Sequence, residues 1–322
     1  MSSQTLLTDE FRELSARLGQ DPLLVQGAGG NTSVKKGDVM WVKASGTQLS
    51  NAKEQDIFVK VDRNIAKAEA FGNGKGDCLG AVLEPTVGLR PSIETTFHAV
   101  LEYSYVMHTH SVMTLVHAIS PEGRQSLKEK LSGLPFAMVP YAKPGLPLTN
   151  EILRCVEPDT QIIILQNHGL ICCGQSIKEV SDLIFTVEER LYMPPRKVSA
   201  VQPDDEPDAR FQWSDFSWLA KNSRYCSWLV QGSYYPDHVV FLGPALPLHD
   251  NDNNPPVIMK EGVGILLRKD AGPSQQAMLR CLAEILQRIP LEWTLEPIGE
   301  KAESELLNWD AEKYRQSLAA RK

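Results

Sequence analysis

The residues best placed to do chemistry are His108 and His110, in the segment VMHTHSV. On an extended strand, side chains at i and i+2 point to the same face, with Cα atoms roughly 6.5 Å apart at about 3.3 Å of rise per residue. From that distance two imidazoles can converge on one ion at about 2.0–2.1 Å per Zn–N bond. A pair alone is no catalytic centre, and the chain has 7 histidines from which to draw a third donor. His168, in QIIILQNHGLICCG, sits in a turn between two apolar runs, where core filling explains a histidine poorly. Three imidazoles leave one position open, which suits a catalytic rather than a structural zinc. Glu94, in PSIETTFHAVLE, is a nearby carboxylate with three readings. It is a fourth group at the ion, a base held just off it, or a surface residue favoured by a helix dipole.

These side chains need a helix followed by a strand. Ser92 reads as the N-cap of that helix, and Phe97, Val100 and Leu101 form its apolar face. Upstream, residues 8–19 have helical spacing at Phe11, Leu14 and Leu18. Two short strands then follow around glycine-rich turns in LVQGAGGNTSVKKGDVMWVKASGTQLS. Gly27, Gly29 and Gly30 do not complete a dinucleotide fingerprint, because the third glycine would fall on Thr32 and a strand follows instead of a helix. The loop therefore reads either as a backbone cradle for phosphate or as a turn that needs glycine for its φ angles. Residues 72–91 form a long glycine-rich connection, of the length that usually carries function.

Further along, PFAMVPYAKPGLPL is a strand running into loop, residues 149–156 are helical, strands flank Asn167-His168-Gly169, and a helix runs from Ser176 to about Tyr192. The proline-rich, acidic MPPRKVSAVQPDDEPDAR marks a linker, so the chain divides into a catalytic region, residues 1–195, and a C-terminal extension, residues 196–322, packed on it. In the extension, FSWLAKNSRYCSWLV reads as a helix, and Trp213, Trp218 and Trp228, at helical spacing, read as core or subunit contact. YYPDHVVFLG reads as a strand, 253–256 as loop, and EGVGILLRKDAGPSQQAMLRCLAEILQRI as strand, turn and helix. A last helix spans about Glu303 to Ala319. His98 and His117 are assigned structural roles, while His238 and His249 lack a partner motif.

Composition narrows the classes. At 322 residues, 42% hydrophobic and 23% charged, the chain has ample core and no signature of disorder. A formal charge of −7 argues against a nucleic-acid binder. No run of about 18 apolar residues predicts a membrane span, and no signal-peptide pattern opens the chain. The 6 cysteines show no CxxC spacing and read as reduced thiols, so a cytoplasmic location is expected.

Five blocks, GAGGNTSVK, KASGTQLS, PSIETTFHAVLE, MHTHS and LQNHGLICCG, occur in the order and spacing of the class II aldolase/adducin superfamily. Over residues 8–195 the chain resembles its metal-dependent fuculose- and rhamnulose-phosphate aldolases. The resemblance implies an α/β fold, a three-layer α/β/α arrangement with a central, largely antiparallel sheet. It also implies a homotetramer with sites at subunit boundaries. It further implies Zn2+ (with Mn2+ or Co2+ as alternatives) held by His108, His110 and His168, with Glu94 as acid/base. Gly30, Asn31, Ser45, Gly46 and Ser92 match groups that hold the substrate phosphate. Two departures stand out: Ile93 replaces a serine found in many relatives, and the tyrosine lent by a neighbouring subunit has no identifiable counterpart. The implied activity is a lyase reaction on a sugar or ketose phosphate through a metal-stabilised enediolate. A sugar-phosphate 4-epimerase, a dehydratase and a decarboxylase use the same scaffold. A non-catalytic adducin-like module is the rival of another class, and it has no need of three histidines and a glutamate.

Overall fold

The computed structural model describes residues 6–84, 88–250 and 254–319. Its central sheet contains β1 (Asn31–Lys36), β2 (Val39–Lys43), β3 (Phe58–Asp62), β4 (Tyr105–Thr109), β5 (Phe136–Val139), β6 (Ile162–Leu165) and β7 (Gly169–Gly174). The spatial order is β3-β2-β1-β4-β7-β6-β5, and each pairing is antiparallel except β5 with β6.

The residues of β6 show why helices must cover both faces. Ile162 and Ile164 enter a buried cluster with Phe11, Met107, Leu115 and Ile184, whereas Ile163 and Leu165 join Phe97, Leu148 and Ile152. A strand apolar on both sides can sit only in the middle of three layers. Helices Asp9–Gln20, Val112–Ala118 and Ile177–Leu191 form one outer layer, and Thr95–Val100 and Leu146–Cys155 belong to the other.

Beyond residue 195 lies a second sheet, in the order β8 (Phe211–Trp213), β10 (Gly264–Arg268), β9 (Val257–Lys260). Five α-helices accompany it: Ser223–Gln231, Pro236–Leu242, Pro273–Leu286, Glu300–Leu307 and Asp310–Ala319. Trp228, Tyr235, Met278 and Leu282 share one buried cluster with Val116 and Ile119, so this region packs directly on the helix that follows the histidine strand.

Several local expectations are corrected. The YYPDHVVFLG segment is a helix, with Pro236 in its first turn and Gly243 ending it. All seven of its residues are buried, so neither a period of 2 nor one of 3.6 is visible in the sequence. The helix after Ser92 begins at Thr95, with Glu94 in the N-cap position, and the Ser92 hydroxyl instead accepts the Glu94 N–H at 3.2 Å. The last helix is two, broken where the Asn308 side chain bonds back to the Ser304 carbonyl at 2.9 Å. Trp213 is on β8, Trp218 in the 3-10 turn Ser217–Lys221 and Trp228 in a separate helix, so they share no helical face. Residues 254–256 are loop, as expected, while residue 253 and residues 85–87 of the long glycine-rich connection lie outside the described residues.

One buried charge has a measurable consequence. The ammonium of Lys35, on β1, is buried and has no hydrogen-bond partner. Burial lowers its pKa from 10.5 to about 7. Between those values the unfolded chain binds more protons than the folded one, so stability rises with pH across that window. Lys35→Met should abolish the rise and stabilise the fold at neutral pH by roughly 2–5 kcal/mol. Denaturant melts at neutral and alkaline pH check both effects.

Candidate metal centre

Strand register brings the histidines together. β1 places Asn31 opposite His108, and β7 places Ile171 on its other side. The β6–β7 hairpin, with Leu165 opposite Gly169, presents His168 from its turn. The ring centroids stand 5.0 Å (His108–His110), 5.0 Å (His108–His168) and 5.3 Å (His110–His168) apart. One nitrogen from each lies within 4.8 Å of the others, and all three residues are buried. The His108 Nδ1–H donates to the Leu170 carbonyl at 3.0 Å, which leaves the Nε2 lone pair free and without a hydrogen-bond partner. Burial pushes His108 down to about 4 and His168 to about 3, so both are neutral at pH 7. Imidazole nitrogens gathered this closely are what a divalent ion requires. The donor set fits a metal.

Glu94 is neither exposed nor idle. Its Oε2 lies 3.5 Å from His108 Nε2 and its Oε1 3.5 Å from His168 Nε2. The Asn31 amide donates to Oε2 at 2.8 Å, while Oε1 has no hydrogen-bond partner. Burial favours the neutral acid, but the surrounding imidazoles and the Asn31 amide outweigh it and hold the carboxyl below its ordinary value. Behind Asn31, His98 touches its Oδ1 and bonds Ser33 Oγ at 2.7 Å, so this histidine braces the residue that holds Glu94.

The glycine loop owes its composition to close approach. A Cβ at Gly29 would meet His110 Nδ1 at 2.7 Å, and one at Gly30, where φ is +58°, would meet the His108 carbonyl at 2.8 Å. At Gly169 a Cβ would lie 2.3 Å from the Thr109 carbonyl. The backbone passes directly over the histidine strand, and a side chain would push it away. Gly30, Asn31, Ser45, Gly46 and Ser92 line the same pocket as Glu94, His110 and His168.

Three further residues at this centre carried no motif. Asp237 Oδ2 stands 3.2 Å from His110 Nδ1, and Arg315 Nη2 donates to Asp237 Oδ1 at 3.0 Å. Arg315 Nη1 donates to both Glu312 oxygens at 2.9 Å. All three are buried. Burial opposes ionisation of Asp237, yet Arg315 and His110 hold its carboxyl far below the usual range. A carboxylate beside Nδ1 favours the tautomer that leaves His110 Nε2 free as a ligand. The NHG turn is also tied to the C-terminal region: Asn167, at φ +53°, donates to the carbonyls of Tyr234 (3.1 Å) and Glu296 (2.7 Å). Asp237→Asn should lower divalent-metal affinity about 10–100-fold without unfolding the chain, as chelator competition will show.

Residues 10–193, more than half of the chain, match the family model of the class II aldolase and adducin N-terminal domain, and the protein belongs to that family. It is 26% identical over 185 residues to the L-fuculose phosphate aldolase of Methanocaldococcus jannaschii, covering 53% of this chain and 86% of that one. It is 32% identical over 183 residues to the uncharacterized oxidoreductase YuxG of Bacillus subtilis, covering 52% of this chain but only 26% of that much longer relative. A solved N-terminal class II aldolase domain of a conserved protein from Thermoplasma acidophilum superposes with a TM-score of 0.51 at 28% identity, covering 59% of this chain and 95% of that one. Asp237, Glu312 and Arg315 all lie beyond the matched residues. Among the described residues no helix is long and apolar enough to cross a membrane.

Proposed function

We propose that this protein is a divalent-metal-dependent lyase that cleaves or forms a carbon–carbon bond in a sugar or ketose phosphate. The observation that carries the reading is the buried Glu94 carboxylate, 3.5 Å from two of the three imidazole nitrogens and oriented by the Asn31 amide. His108, His110 and His168 would hold the ion, Zn2+ or another divalent metal such as Mn2+ or Co2+. Once bound, it would supply Lewis acidity toward a carbonyl and its neighbouring hydroxyl. Glu94, ionised at neutral pH, takes a proton from substrate carbon or returns it. Asn31, braced by His98, keeps Oε2 engaged so that Oε1 faces the reacting atoms. Asp237, anchored by Arg315, keeps the His110 ring from turning. Gly30, Asn31, Ser45, Gly46 and Ser92 line the same pocket and would hold the substrate's phosphate.

The test is a panel of phosphorylated and unphosphorylated sugars and sugar acids, incubated with metal-loaded protein. An aldehyde plus a ketone phosphate identifies an aldolase. Carbon dioxide, an epimeric sugar or loss of water would instead identify a decarboxylase, a 4-epimerase or a dehydratase. A fully metallated protein inert toward the whole panel would overturn the reading in favour of an interaction module.

A further inference from the structure

Of the described side chains on the C-terminal helix, Asp310–Ala319, only Glu312 and Arg315 are buried, and both are charged. Tyr314, its ring 4.3 Å from the Arg90 guanidinium, and Leu318, seated on Gly46, are half-buried. The helix therefore lacks the buried apolar stripe that docks an ordinary surface helix. At 10 residues it is also too short to persist alone in water, where isolated helices need about 12–15. Its hold on the rest of the protein is largely polar. Arg315 joins Asp237 to Glu312, and Gln316 Nε2 donates to the Val240 carbonyl at 2.6 Å. Asp237 and Val240 belong to one helix, Pro236–Leu242, and Asp237 is the residue that faces His110.

Buried ion pairs hold elements weakly, because desolvation offsets most of their attraction. Here two carboxylates share one guanidinium, which leaves excess negative charge buried beside His110. Glu312 registers it. Burial, with Asp237 and Glu94 nearby, raises its pKa above the ordinary value against the pull of Arg315. A divalent ion on His110 relieves this arrangement in two ways. The His110 Nδ1–H becomes a stronger donor to Asp237 Oδ2, which stands 3.2 Å away. The added positive charge also offsets the excess around Glu312. Both effects favour the docked helix over the undocked one.

We propose that the C-terminal helix is a metal-responsive latch, in which Arg315 positions His110 through Asp237 and metal binding and helix docking stabilise each other. The inference rests on the metal centre proposed above. Docking also seats Leu318 on Gly46, so loading the centre closes that edge of the pocket. Coupling between two sites is reciprocal and commonly amounts to about 5–150-fold. Zinc should therefore slow hydrogen–deuterium exchange across 310–319 by a factor in that range. It should leave Pro121–Lys130, a helix with no member in this network, unchanged. Asp237→Asn, given enough zinc to offset its weaker affinity, should lose the added protection. Arg315→Gln should weaken zinc about 10–100-fold in chelator competition and speed exchange across 310–319. Leu318→Ser loosens the helix at its Gly46 contact, apart from the Asp237 bond, and should weaken zinc about 5-fold or more. A wild-type chain that binds zinc with helix exchange unchanged would overturn the latch and leave the metal centre standing. Full zinc-dependent protection in Asp237→Asn, or a loosened Leu318→Ser helix with wild-type zinc affinity, would overturn it equally. A chain that takes up no zinc would instead remove the metal centre, and the latch with it.

Discussion

Glu94→Gln should keep its metal and lose turnover by about 10²–10⁴-fold, the usual contribution of a general acid–base group. The substitution is isosteric, and its amide oxygen can still accept from Asn31 Nδ2, now 2.8 Å from Oε2. Because burial keeps His108 and His168 neutral at pH 7, removing the nearby negative charge strands no buried cation, and the fold should change little. What the amide cannot do is accept a proton from carbon. The decisive measurement is exchange of a substrate C–H proton with deuterated water, a partial reaction that needs no carbon–carbon cleavage. Dihydroxyacetone phosphate is the first probe. Exchange should stop in Glu94→Gln while metal content stays at the wild-type level. Exchange at the wild-type rate would assign the base elsewhere and sink the mechanism.

How much of this centre could be read from sequence depended on distance along the chain. His108 and His110 share a strand face, and that follows from a period of 2. His168 followed from the poor fit of a histidine between two apolar runs, and register across β4 and β7 delivers it to the pair. Glu94 was visible but ambiguous, because a helix-start carboxylate satisfies the dipole whether it faces water or the core. Its burial, the two imidazole nitrogens at 3.5 Å and the Asn31 amide, 63 positions away, decide between them. Glycines 29 and 30 were likewise visible without their reason, which is the passage of one backbone over another strand.

Asp237 and Arg315 were not legible at all. They meet across 78 positions, from a helix whose every residue is buried and from a C-terminal helix of mixed polarity. Neither element has a spacing that marks a site, and both lie beyond the family's matched residues. Buried ion pairs are poor evidence of net stability, since desolvation offsets most of the attraction. The Arg315 network is therefore better understood as fixing geometry at His110 than as holding the fold together.

The second large effect concerns the ligands themselves. His110→Ala and His168→Ala should each lose stoichiometric metal while remaining folded. Removing one of three donors must cost more than the roughly 10–100-fold that loss of an outer partner costs. The fold should survive because neither imidazole holds its own backbone in place. The His168 turn is tied down by Asn167, through the Tyr234 and Glu296 carbonyls, and that bond pair is intact in the variant. At position 110, loss of the ring leaves Asp237 still paired with Arg315 at 3.0 Å. A catalytic ion differs in this respect from that of a zinc finger, whose binding energy is its folding energy. Elemental analysis of dialysed protein, alongside circular dichroism, gives both readouts on one sample. A folded His168→Ala or His110→Ala variant with one ion per chain would show that the ligand set has been wrongly assigned. A variant that loses metal and structure together would show instead that the ion is structural.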